Sequence, residues 1–110
     1  MAYNLDTLKE CLLSVTDNVF HYEALGGKDK YIVWAEDGEG NSVEADNKKI
    51  NQSVQGTIDY FTREENDTNV IAIQSALKSA EISFYLNSVQ YEDETKYIHY
   101  EWVFEVADYG

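Results

Sequence analysis

Histidine, cysteine and carboxylate side chains are the groups in this sequence that could carry chemistry. His21 and His99 lie on strand-like segments, and neither has a second histidine or a cysteine at the short spacing that metal ligation needs. Cys11, the only cysteine, shares a helical face with Leu8 and Leu12, which is the usual setting of a buried, inert thiol. We therefore predict that both histidines are surface or network residues and that the protein has no metal site and no cofactor site.

Carboxylates are so abundant that some pair must lie close together by number alone. Asp59 with Glu101 is one such pair, and a hydrolase built on it would need a cleft that perturbs the pKa of one partner. Nothing in the sequence indicates that cleft, and the segment 38–40 lacks the basic residue and glycine spacing of a phosphate-binding loop. No serine lies in a Gly-x-Ser-x-Gly motif. We expect a protein that is not an enzyme, with a small hydrolase as one alternative.

Net charge limits the kinds of partner that the chain can bind. It contains 21 Asp and Glu against eight Lys and Arg, which gives a formal charge of −13 over 110 residues. Nucleic-acid binding draws most of its free energy from Lys and Arg contacts to phosphates, so we expect duplex DNA to be repelled. The same charge disfavours anionic membrane surfaces, no apolar run could span a bilayer, and the N-terminus lacks a secretory signal. These features predict a cytoplasmic protein with no tight nucleic-acid binding and no membrane association.

Two amphipathic helices are predicted from apolar side chains that recur at three- and four-residue steps. The first covers residues 5 to 16, with Asn4 or Asp6 as its N-cap. The second follows a cap at Asn66 or Asp67 and runs to residue 80.

Strands are predicted where apolar and polar residues alternate. Residues 97–106 place large apolar groups at even positions and histidine or glutamate at most odd positions, as in a strand with one dry face. The nearly continuous apolar run 31–35 predicts the most buried strand, central in its sheet. A third alternating stretch begins at Gln52, and Gly56 within it indicates a bulge or a close backbone approach.

The remaining pattern completes an α+β fold in one domain over residues 1–110. Alternation changes parity within residues 82–91, which predicts a bulge near Asn87-Ser88, and residues 92–95 form a hairpin turn. The element order is αβββαββ, in which a mostly antiparallel sheet of four to five strands carries both helices on one face. The predicted core contains Leu8, Leu12, Trp34, Ile58, Leu77, Phe84, Trp102 and Phe104.

Residues 37–50 show no sustained periodicity and few large apolar groups. Segments of this length without secondary structure are uncommon in compact domains and are often functional. We predict a mobile, exposed excursion here. It contains Lys48-Lys49, the only adjacent basic pair of an acidic chain, and its four candidate assembly contacts are Asp46, Asn47, Lys48 and Lys49.

A resemblance to a known family adds to these observations. The segments that carry it are 31–38, 45–48, 56–62, 86–92 and 98–102. Together they resemble the small tail-completion proteins of bacteriophages and prophages of Gram-positive hosts, over nearly the whole chain. Taken singly, each segment is only strand-and-turn composition.

That resemblance implies a structural role. Members of the group look like the tail terminators of long-tailed phages, which are α+β proteins that form a ring on the head-proximal end of the tail tube. The implied partners are the tail tube protein, the head-tail connector protein and further copies in a cyclic homo-oligomer. The implied location is the host cytoplasm during assembly and then the tail or neck of the virion. A separate alternative, open from the charge alone, is an acidic inhibitor or DNA mimic that binds a basic partner.

Overall fold

The computed structural model describes residues 5–26, 29–39, 44–45, 48–49 and 53–107. Its elements are α1 (Leu5–Leu13), β1 (Val19–His21), β2 (Tyr31–Glu39), β3 (Glu44–Ala45), β4 (Lys48–Lys49), β5 (Ser53–Thr62), α2 (Thr68–Ser79), β6 (Ser83–Tyr91) and β7 (Ile98–Ala107). The predicted order αβββαββ is confirmed, with the short pair β3 and β4 added between β2 and β5.

One five-stranded sheet, in the order β1-β2-β5-β7-β6, forms the centre of the fold. β1 runs parallel to β2, and every other neighbouring pair in it is antiparallel. The sheet is therefore mixed, although mostly antiparallel, and the α+β class is confirmed. Because β5 and β6 both run antiparallel to β7, they are parallel to each other, and α2 is the crossover that joins them.

The central strand is β5, and the prediction that residues 31–35 form the most buried strand was wrong. In β2 only Ile32 and Trp34 are buried, while Tyr31, Val33 and Ala35 beside them are half-buried. In β5 every second residue from Val54 to Thr62 is buried, because β2 and β7 flank it on both sides. The apolar run of β2 places its odd residues on the face of the sheet away from the helices.

Both helices pack on one face of the sheet, as predicted, and the buried residues there form a single cluster. The buried apolar members of this cluster are Leu8, Cys11, Leu12, Ile32, Trp34, Val54, Ile58, Tyr60, Ile73, Leu77, Ile82, Trp102, Phe104 and Val106. Seven of the eight predicted core residues are among them. Phe84 only packs against the cluster and stays half-buried, because it lies on β6 at the edge of the sheet.

Helix α1 ends at Leu13, three residues earlier than predicted. The Ser14 hydroxyl donates to the carbonyl oxygen of Cys11 at 2.6 Å, and such side-chain bonds compete with continuation of a helix. Asp6 lies inside the first turn and is therefore not the N-cap, while Asn4 lies outside the described residues. The buried thiol of Cys11 agrees with its predicted setting, and its burial raises its pKa.

Helix α2 begins at a buried carboxylate. Asp67 is its N-cap and accepts a hydrogen bond from the backbone N–H of Asn69 at 2.9 Å. The same carboxylate accepts hydrogen bonds from Tyr60 Oη at 2.6 Å and Thr62 Oγ1 at 2.7 Å, and lies 3.4 Å from Lys30 Nζ. Asp67 thus ties the start of α2 to the end of β5, and we call these four side chains with the Asn69 amide the Asp67 network.

Hydrogen bonds and the nearby charge of Lys30 keep the carboxylate of Asp67 ionised. Burial alone would raise the pKa of Asp67, but the hydrogen bonds from Tyr60, the Asn69 amide and Thr62, with the charge of Lys30, outweigh burial and lower it. Burial and the bond to this carboxylate raise the pKa of Tyr60 to about 12. Tyr60 therefore remains a neutral donor across the physiological range.

Three local predictions for the sheet are confirmed. The register between β6 and β7 shifts between Leu86 and Ser88, where the parity of the sequence changes. β6 and β7 form a hairpin, closed by Glu92 N–H donating to the Tyr97 carbonyl oxygen at 2.8 Å. Gly56 is buried where a Cβ atom would collide with the backbone carbonyl of Ala35, next to a register shift in β2.

Residues 37–50 differ from the predicted excursion in the parts that are described. Residues 37–39 continue β2, and Glu44–Ala45 pairs antiparallel with Lys48–Lys49. Two-residue strands are too short to produce a visible periodicity, so the sequence did not indicate them. Asp46 and Asn47 lie outside the described residues.

Neither of the two helices in the described part of the chain is long and apolar enough to cross a membrane.

Candidate assembly surface

The sheet has one face that neither described helix covers, which we call the open face. Its side chains come from alternate residues of β2, β5, β7 and β6, all half-buried or exposed. In order across the sheet they are Tyr31, Val33 and Ala35; Gln55, Thr57, Asp59 and Phe61; His99, Glu101, Val103 and Glu105; and Tyr85, Ser88 and Gln90. Broad, half-buried sheet faces of this kind are natural contact surfaces for another protein.

An aromatic row crosses the open face at one end. Tyr31, Phe61 and His99 lie directly opposite one another on β2, β5 and β7. Their rings stack in sequence, with centroids 4.7 Å apart for the first pair and 4.2 Å for the second. Next to this row, the guanidinium of Arg63 lies 4.0 Å from the centre of the Tyr97 ring. Stacked rings lose little conformational freedom on binding, so this row is a rigid part of the surface.

Acidic side chains lie beside the aromatic row, and His99 contacts two of them, Asp59 and Glu92. His99 Nε2 lies 2.7 Å from Asp59 Oδ1, and His99 Nδ1 lies 3.8 Å from Glu92 Oε2. The hydrogen bond to Asp59, with the charges of Asp59, Glu92 and Glu101, outweighs burial and raises the pKa of His99. His99 is therefore a network residue, as predicted. The neighbouring carboxylates stabilise its protonated, imidazolium form.

Protonation of His99 should therefore stabilise the fold. A raised pKa means that the stabilisation is complete below the usual histidine pKa of about 6.5 and is lost as pH rises through the higher folded value. We expect the difference in free energy of unfolding between wild type and His99→Gln to shrink as pH rises from about 5.5 to 9. Urea titrations of both proteins across this range measure it. A difference that is constant with pH would contradict the ion pair.

His21 lies in a second network, at the other edge of the sheet. Its ring stacks between Tyr22 and Trp34 at centroid distances of 3.9 and 3.8 Å, and its Nε2 lies 2.7 Å from Glu36 Oε1. Tyr22 Oη donates to the other oxygen of Glu36 at 3.0 Å. Burial pushes the pKa of Glu36 up, but the bonds from His21 and Tyr22 outweigh it and lower that pKa. His21 is thus also a network residue, as predicted.

The carboxylate pair of the hydrolase alternative is adjacent in the structure. Asp59 and Glu101 lie directly opposite each other on β5 and β7. Asp59 is engaged by His99, while Glu101 accepts from Asn87 Nδ2 at 3.2 Å. The shallow depression beside the pair is lined by Asp59 together with Tyr31, Val33, Phe61, His99 and the loop 22–24, and it does not include Glu101. Only one of the two carboxylates therefore lines this depression.

The four predicted assembly residues are placed only in part. Lys48 and Lys49 form β4, whose backbone pairs with β3, and Asp46 and Asn47 fall outside the described residues. Their assembly role stays a prediction. Sequence reasoning did not find the contact between His99 and Asp59, which are 40 residues apart. The alternation of β7 had already placed His99 and Glu101 on one face, but the partner strand was needed to bring Asp59 beside them.

Comparison with known proteins finds a similar fold in a gene transfer agent particle. No protein-family model and no curated protein matches the chain. Among solved structures, a chain described as part of the virion of a native gene transfer agent (GTA) particle matches with a TM-score of 0.57 at 10% sequence identity. The match covers 96% of this chain and 90% of that chain. The fold of this protein is therefore similar, over nearly its whole length, to that of a chain in the gene transfer agent virion.

Proposed function

We propose that this protein is a structural component of a phage-like virion, and that it acts as a ring-forming tail terminator or head-tail joining protein. In this role it caps the tail tube, meets the head connector and lets DNA pass. It assembles in the host cytoplasm and then remains in the tail or neck of the particle. It is not an enzyme.

The observation that carries this proposal is the fold likeness to a chain of the gene transfer agent virion, because it extends over 96% of the chain. A likeness limited to one supersecondary unit would not distinguish a virion protein from many other α+β domains. The likeness supports a virion component in general. The position at the end of the tail and the Gram-positive host rest on the sequence segments that resemble tail-completion proteins.

Charge supports the same role. A ring through which DNA passes must not bind phosphate tightly, and a chain with a net charge of −13 presents a repelling field to DNA. The open face adds a local acidic surface, with Asp59, Glu101 and Glu105 on neighbouring strands. This surface also suits a basic protein partner, which is the observation that favours the alternative role as an acidic inhibitor.

Capping of a tail tube tests the proposal directly. The purified protein is added to polymerising tail tube protein, and tube lengths are measured by electron microscopy. A terminator should stop growth, so that tubes become shorter and carry extra density at one end. An inhibitor of a DNA-binding enzyme should instead leave tube growth unchanged and block DNA binding by its basic target. Tubes of unchanged length without end density would overturn the proposed function.

The basic pair gives a second prediction for this role. Reversing both Lys48 and Lys49 to Glu should leave the melting temperature nearly unchanged, because we predict that both side chains are exposed, and exposed charges contribute little to stability. It should weaken head-to-tail joining, because the change removes attraction to an acidic neighbour and adds like-charge repulsion. Complementation of a phage that lacks the gene measures joining, and the charge-preserving change of both residues to Arg is the control. A reversed variant that melts normally and joins heads to tails at the wild-type rate would show that the segment is only a connection.

A further inference from the structure

The outer edge of β6 is an unusual surface for this chain. Charged residues make up 26% of the sequence, yet Ser83–Tyr91 contains none. Four of its large apolar side chains are exposed, with relative exposures of 45–59%. They are Tyr85, Leu86, Val89 and Tyr91. In the described part of the chain, no strand pairs with this edge.

Edge strands normally carry protection against pairing with another chain. Lysine, proline, inward-pointing charges, β-bulges and very short strands are the usual devices, and of these β6 has only a β-bulge. Its one irregularity is the register shift between Leu86 and Ser88. By contrast, β1 at the opposite edge of the sheet is only three residues long. The long, uncharged edge of β6 is therefore open to a ladder with a strand of another protein.

Backbone geometry identifies the groups available for that ladder. Glu92 N–H points inward, since it donates to the Tyr97 carbonyl oxygen at 2.8 Å. N–H directions alternate along an antiparallel ladder. The backbone N–H of Gln90 therefore also points towards β7, while the backbone N–H groups of Val89 and Tyr91 point outward, away from β7. Two backbone donors thus face outward beside exposed apolar side chains.

Charge indicates what covers this edge. A basic protein would be drawn to the acidic open face rather than to an uncharged strand, and a nucleic acid would need basic residues that β6 lacks. A second copy of this chain carries the same charge of −13, so repulsion between two copies is smallest where neither presents acidic groups. We propose that the β6 edge is the self-association surface of this protein, at which a second copy adds a strand to the sheet. The proposal deepens the proposed function, because a ring requires a head-to-tail contact, in which the β6 edge of one copy pairs with a different strand of the next.

The sign of the salt dependence tests the proposal. Salt screens the repulsion between two acidic subunits, so association through an uncharged apolar edge should become stronger as salt rises. Association through Lys48 and Lys49 would become weaker instead, because it depends on attraction. Sedimentation velocity over a range of protein concentrations, at low and at high salt, measures the association constant. Wild type that stays monomeric up to its solubility limit at high salt would overturn the proposal.

Val89→Pro tests the backbone ladder itself. Proline removes an N–H that the subunit does not use internally, and edge strands tolerate proline at such positions. We expect the association constant to fall about tenfold or more, since one intersubunit hydrogen bond is lost and the strand next to it is displaced. Val89→Ile keeps the N–H and the branched apolar side chain, and it should associate like wild type. Circular dichroism and thermal melting confirm that both variants are folded.

Val89→Glu keeps the backbone donor and adds a like charge, so it covers the case in which the proline variant fails to fold. We expect it to associate more weakly than wild type, with the greater loss at low salt. Association that neither variant weakens would overturn the proposal and leave the proposed function standing. Association that both variants weaken, with no capping of tail tubes by wild type, would uphold the β6 contact and overturn the terminator role.

Discussion

Trp102→Ala should lower the free energy of unfolding by about 3–5 kcal/mol, the scale for emptying a buried aromatic site. Trp102 is fully buried on β7, directly between Ile58 of β5 and Leu86 of β6. Its indole Nε1 donates to Gln74 Oε1 on α2 at 3.0 Å, so the side chain joins the helix layer to the sheet. Truncation therefore leaves a cavity and removes the donor of a partly buried bond.

Urea denaturation measures this loss, and two further variants separate its causes. Trp102→Phe keeps most of the ring volume and loses only the indole donor, so we expect about 1–2 kcal/mol. Tyr85→Ala removes an aromatic ring that is 58% exposed on the open face and should cost less than about 1 kcal/mol. A loss below about 1 kcal/mol for Trp102→Ala would mean that this side chain does not organise the core.

Asp67→Ala should cost about 2–4 kcal/mol, the second large effect. It removes the N-cap of α2, a change worth about 1 kcal/mol, and leaves the buried hydroxyls of Tyr60 and Thr62 without their acceptor. Asp67→Asn can keep its one oxygen at the Oδ1 position, where it caps the Asn69 amide, but it loses the Oδ2 acceptor of both hydroxyls, so we expect a smaller loss of about 1–3 kcal/mol. The loss in Asp67→Asn therefore measures the buried bonds, and the gap between the two variants measures the cap.

Acid titration gives an independent check of the Asp67 network. The pKa of Asp67 is lowered in the folded state, so its contribution is complete above the usual value of about 3.9 and is lost as pH falls through the lower folded value. The difference in stability between wild type and Asp67→Ala should therefore narrow as pH falls below about 4. Unfolding curves at neutral and acid pH measure it. A difference that widens in acid would contradict the assignment of an ionised buried carboxylate.

Local features of the fold could be predicted from the sequence because each depends on neighbouring residues. The alternation of β5 and β7, the parity change before Ser88 and the cap at Asp67 are all properties of short segments. Each is fixed by side-chain direction or by a hydrogen bond within a few residues. These signals were enough for the element order and for most of the core.

Features that depend on strand order could not be predicted. The run 31–35 suggested a central strand, but its odd residues stay half-buried on the open face, where Tyr31 stacks on Phe61. The contact between His99 and Asp59 is diagonal across β5 and β7, so it exists only in one register. Likewise, the exposure of β6 follows from its place at the edge of the sheet. Pairing over long sequence separations is set by the whole fold, and a single segment does not encode it.

Gly56 has a consequence for how β2 and β5 find their alignment during folding. A slip of β5 by two residues would keep every side chain on its own face, so loss of burial alone would exclude it only weakly. Such a slip would bring Val54 or Ile58 to the position of Gly56, where a Cβ atom collides with the carbonyl of Ala35. One missing side chain thus makes a single alignment sterically accessible among several that burial would accept. The central strand pair, on which β7 and then β6 are built, is selected by the only residue type that fits.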